Sequence, residues 1–108
     1  MISYLKFKKI FDAIHPTCEP EIELHFYHRP DSYMVIKYSG KVTFQRCGTV
    51  EEQSGEIEFA SLDELYETQT IDDICLKNEW DDISDIVFDG TFCMAEDYED
   101  SLDRYGIK

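Results

Sequence analysis

EIELHFYHRPDSYMVIKYSGKVTFQRCG, residues 21–48, carries the signals that decide the fold. Its first part alternates Ile22, Leu24 and Phe26 with Glu21, Glu23, His25 and Tyr27, the period of two that marks a half-buried strand. His28-Arg29-Pro30-Asp31-Ser32 has turn chemistry, because proline fixes φ and aspartate bonds its own backbone. Tyr33-Met34-Val35-Ile36-Lys37-Tyr38 follows as a second strand, apolar on both faces near its middle and so predicted to lie centrally in a sheet. Ser39-Gly40 reads as a tight hairpin turn into a third strand, Val42 to Cys47, which Gly48 closes.

The pattern continues downstream. A polar loop over residues 49–54 precedes an alternating fourth strand, Gly55 to Ala60. Ser61-Leu62-Asp63-Glu64 then matches a capping box, in which the serine hydroxyl and the glutamate each satisfy an orphan N–H of a starting helix. Thr70-Ile71-Asp72-Asp73 repeats that motif more weakly, and Ile74, Leu76, Trp80 and Ile83 are expected to anchor further short turns on the sheet. Asp89-Gly90, between Ile86-Val87-Phe88 and Thr91-Phe92-Cys93-Met94, predicts a last hairpin, with a single strand ending at Gly90 as the alternative. Upstream, Ile2, Leu5, Ile10, Phe11 and Ile14 approximate the buried stripe of a helix that His15-Pro16 ends.

The expected fold class is therefore α+β: a four- to six-stranded antiparallel meander, with the N-terminal helix and the short helices after residue 61 packed on one face. Its 108 residues suit one domain, and 43% apolar content supplies its core. Residues 96–108 read as an acidic tail, either helical through Tyr98, Leu102 and Tyr105 or flexible.

Charge is unevenly distributed. Residues 1–48 hold seven Lys/Arg against five Asp/Glu, a net of +2, whereas residues 49–108 hold three against nineteen, a net of −16. That sign opposes direct binding to nucleic acid or anionic lipid. No stretch is apolar enough to span a bilayer and no secretory signal is recognisable. Cys18, Cys47, Cys75 and Cys93 lack zinc-type spacing and are read as free, partly buried thiols of a cytoplasmic protein.

Catalytic and metal constellations find no support. His25 and His28, with His15 and Cys18 nearby, are the closest approach to a zinc set, yet strand positions three apart point to opposite faces. Cys47 beside Arg46 would need a base that the sequence does not supply, and Cys18, three residues from His15, is the alternative pairing; neither is favoured as a catalytic centre. The acidic doublets lack calcium-loop spacing. No cofactor, metal site or catalytic residue is expected. The reading is a non-enzymatic module that engages a basic protein through its acidic second half, with Asp72, Asp73, Trp80, Asp81, Asp82 and Asp85 as the candidate interaction surface. The alternative is an inhibitor or immunity-type protein whose carboxylates imitate nucleic acid. Oligomeric state is not legible.

Overall fold

A computed structural model describes residues 3–14, 20–47 and 55–89, with residues 88 and 89 as backbone only. The expected partner strand Thr91 to Met94, the tail 96–108, the loop 49–54, and Ile2, His15, Pro16, Cys18, Gly48 and Cys93 lie outside the described residues.

Helix α1 spans Tyr4–Ala13. Ser3 caps it, its Oγ accepting the Lys6 N–H at 3.2 Å. The stripe it buries is Phe7, Ile10 and Phe11, continued by Ile14, while Leu5 is 70% exposed. The expectation that Leu5 belonged to the buried face is thus corrected: Leu5 and Phe7 lie two positions apart, about 200° around the helix, and only Phe7 has the spacing of three and four to Ile10 and Phe11. At the C-terminal end the Lys37 ammonium donates to the carbonyls of Phe11 (2.6 Å) and Ile14 (2.8 Å), groups that a helix leaves unsatisfied.

Strands β1 (Glu21–Phe26), β2 (Tyr33–Tyr38), β3 (Lys41–Arg46) and β4 (Ile57–Phe59) run consecutively as an antiparallel meander, and β5 (Ile83–Asp89) returns beside β1. The order is β4-β3-β2-β1-β5, so β2 is the middle strand, as its two apolar faces require. The Ser39-Gly40 turn joins Tyr38 to its cross-strand neighbour Lys41, and only Gly40 takes a left-handed φ, +83°, at no steric cost.

Alternation and register put Ile22, Leu24, Phe26, Tyr33, Val35, Val42, Phe44 and Phe59 into one buried cluster, which Phe7 and Phe11 of α1 join. The same cluster takes Leu62 and Leu65 from α2 (Leu62–Glu67), Leu76 from α3 (Leu76–Glu79), and Ile74, Trp80 and Ile83, so the anchors expected after residue 61 are all seated. Ser61 caps α2, its Oγ accepting the Glu64 N–H at 3.1 Å. Thr70 does not cap in that way. Its N–H and hydroxyl both donate to the Ile74 carbonyl, at 2.7 and 2.9 Å, and close a short loop.

Candidate functional site

Antiparallel pairing brings the C-terminal ends of β1 and β3 to the same end of the sheet as the starts of β2 and β5, because Leu24 pairs with Tyr33, Tyr33 with Arg46, and Phe26 with Ile83. Tyr33 and Arg46, cross-strand neighbours at that end, both reach Asp72 of the loop between α2 and α3. The Tyr33 hydroxyl donates to Asp72 Oδ2 at 2.5 Å, and Arg46 Nη1 donates to both carboxylate oxygens at 3.0 and 3.2 Å. Arg29, from the β1–β2 turn, donates to the Asp72 carbonyl at 3.2 Å and through Nη2 and Nε to Glu79 Oε1 at 3.0 and 3.2 Å. Asp31, only 8% exposed, lies 3.7 Å from Arg46 Nε.

These contacts hold unusual backbone. Asp72 (φ 55°, ψ 29°) and Asp73 (φ 63°) both have left-handed φ, a region that aspartate enters more readily than most residues other than glycine. Residues 69–75 are closed by the Gln69–Cys75 bridge and by the Thr70–Ile74 bond. The Tyr33 hydroxyl, and then Arg46, hold the Asp72 carboxyl below the usual carboxylate range. Burial, and then the Asp72 hydrogen bond, push the Tyr33 phenol up to about 12.

The remaining sequence-predicted residues distribute around this centre. Asp73 is exposed, with Gln69 Nε2 at 3.5 Å from its Oδ1. Asp81 and Asp82 are exposed on the single turn Trp80–Asp82, which is docked onto the end of β1 by the Tyr27 N–H donating to the Asp82 carbonyl at 2.9 Å. Asp85 is exposed on β5, opposite His25. The fold thus collects Asp72, Asp73, Asp81, Asp82 and Asp85 around one end of the sheet. Trp80 lies beneath them, 7% exposed, its ring 5.3 Å from those of Tyr4 and Phe7 and edge-on to Tyr4. Tyr4 stacks on Tyr66 at 3.5 Å, and its hydroxyl donates to Asp63 at 2.7 Å. The tryptophan therefore ties α1 to the later helices.

Sequence reasoning missed Tyr33, Arg29 and Arg46 as site members. In sequence Arg46 stands out only as a neighbour of Cys47, and nothing local shows a strand arginine meeting an aspartate 26 positions later. Burial pushes the Cys47 thiol up, opposite to what a thiolate nucleophile needs. His25 lies 3.1 Å from Glu23 on the same strand face, and His28 is exposed in the following turn. Among the described residues no group of three or more His, Cys, Asp or Glu is placed to hold a metal ion, and no helix is long and apolar enough to cross a membrane. No family model, curated protein or solved structure matches the chain.

Proposed function

We propose that the domain is a non-enzymatic protein-binding module whose acidic sheet end engages a basic partner in the cytoplasm. The observation that carries this reading is the gathering of Asp73, Asp81, Asp82 and Asp85 at one end, all exposed and all without an ion pair among the described residues. Between Gln69 and Asp85 there are six acids against the single base Lys77, and only Asp72 and Glu79 are engaged by arginines from the first half of the chain. Such a patch steers a cationic surface toward itself and suits a salt-sensitive association. Cys47 and Cys75, both free thiols, fit a reducing compartment.

Affinity capture with the immobilised protein, at low and at physiological salt, tests the reading. Basic proteins are expected to be retained, and to be lost when Asp73, Asp81, Asp82 and Asp85 are all changed to Asn. Equal retention by that quadruple variant would sink the reading. Elution of the retained protein by added duplex DNA would redirect it to the imitation of nucleic acid.

A further inference from the structure

The sheet has a second face, opposite α1 and the later helices, and its middle is drier than any described element accounts for. Cross-strand pairing places Glu58, Thr43, Ile36 and Glu21 in one row on that face, since Thr43 pairs with both Glu58 and Ile36, and Ile36 with Glu21. The two ends of the row are exposed, whereas Ile36 is 4% exposed and Thr43 0%. Tyr38 supplies part of the cover: its hydroxyl donates to Glu56 at 3.0 Å, so its ring leans from β2 toward β4 across Thr43. Ile36 has no such cover among the described residues. It is the one buried apolar side chain of the described sheet that stands outside the core cluster, whose members come from the opposite face and from the helices and loops packed there.

A side chain this dry, on a face that carries no described helix, needs an occupant above it. The burial belongs to the single chain, so the occupant is a segment of the same chain outside the described residues. Residues 15–19 are tied at Ile14, on the core side, and at Pro20, whose carbonyl accepts the Lys37 N–H at 3.1 Å. Residues 48–54 offer a single bulky apolar side chain, Val50. Residues 90–108 offer Phe92, Met94, Tyr98, Leu102, Tyr105 and Ile107, and they leave the sheet at the right place. Asp89 pairs with Glu21, itself the neighbour of Ile36, so the chain exits two strand spacings, about 10 Å, from the row of Ile36. The strip between the exposed Glu21 and Glu58 is three spacings wide, about 14 Å, which admits one helix of about 10–12 Å diameter.

We propose that the C-terminal segment seats on this outer face as an amphipathic helix, with Tyr98, Leu102 and Tyr105 over Ile36. Their i, i+4, i+7 spacing makes one apolar stripe, and Glu96, Glu99, Asp100 and Asp103 then turn to water. That orientation is the one the rim demands, because Glu21 and Glu58 flank the strip and would repel acids turned inward. The domain is thereby a sheet covered on both faces, whether or not its acidic end binds a partner.

NOE spectra of the full chain with labelled Ile and Leu methyl groups test the contact. NOEs are expected from the Ile36 δ1 methyl to the ring of Tyr98 or Tyr105 or to the Leu102 methyls. Leu102→Asp is expected to abolish them and to quicken amide exchange over residues 98–105 by about tenfold, the equivalent of losing one buried leucine contact. Asp100→Asn, on the opposite side of the helix, is expected to leave both readouts unchanged, and amides of β1 and β2 stay protected in both variants. Ile36 NOEs to residues 15–19 or 48–54 would overturn the proposal. So would NOEs to a second copy in an isotope-filtered mixture of labelled and unlabelled protein, or exchange over residues 98–105 in the unaltered protein at the rate of an unstructured chain.

Discussion

Thr43 sits in the middle of β3, fully buried, with its hydroxyl meeting no hydrogen-bond partner among the described residues. A buried hydroxyl without a partner costs about 1–3 kcal/mol, whereas a methyl group in the same space costs nothing of that kind and suits a strand equally well. Thr43→Val is therefore expected to stabilise the domain by about 1 kcal/mol, raising its melting temperature by roughly 4–8 °C in a calorimetric scan. Titration at Asp63 and Asp72 bears on stability in a defined direction. Lys8, then Tyr4, hold Asp63 below the ordinary carboxylate range, and Tyr33 with Arg46 does the same for Asp72. A carboxyl depressed in the fold contributes stability that is present above its unfolded value and is lost as pH falls through the folded one. Chemical denaturation at stepped pH should show stability falling on the acid side of the ordinary carboxylate range, with a shallower fall in Asp63→Asn. Tyr33 acts in the opposite sense. Its raised phenol contributes below the unfolded value and loses that contribution as pH rises through about 12.

At the scale of elements, the meander was readable because strand signals are local. The alternation around Ile22, Leu24 and Phe26, the Ser39-Gly40 turn and the Ser61 cap each lie within a few residues, and all appear where expected, with β4 shortened to Ile57–Phe59. In sequence, Thr70-Ile71-Asp72-Asp73 carries the motif of a weak helix cap. Its Asp72 carboxylate is bound by Tyr33 and Arg46, which lie 39 and 26 positions away and leave no mark on the adjacent sequence. The same holds for α1. Its buried stripe runs through Phe7 where the apolar spacing also offers Leu5, and its C-terminal carbonyls are met by Lys37, 23 to 26 positions downstream. Lys37→Met should keep the stem packed while leaving the Ile14 carbonyl without the lysine donor and the Phe11 carbonyl with the Ile14 N–H instead, a loss of about 1–3 kcal/mol measurable by urea denaturation.

For the whole molecule, the division into a slightly basic first half and a strongly acidic second half was legible, but its internal use was not. The ion pairs Lys8–Asp63, Arg29–Glu79, Lys41–Glu58 and Arg46–Asp72 each join the first 48 residues to the later ones, so part of the asymmetry docks the two portions of the domain together. The exposed pairs Lys8–Asp63 and Lys41–Glu58 are screened by solvent and contribute little individually. Closure depends far more on β5, which pairs along the whole of β1 and brings Ile83 and Ile86 into the core. A chain ending at Asp82 is accordingly expected to lose its cooperative thermal transition, a result that circular dichroism would check.

The neighbour relation between β1 and β5 also sets a schedule. Some sixty residues separate the two strands along the chain, and at ribosomal rates of about 5–20 residues per second they emerge roughly 3–12 s apart. During that interval one side of β1 offers unpaired N–H and C=O groups to whatever is nearby, a template for wrong pairing.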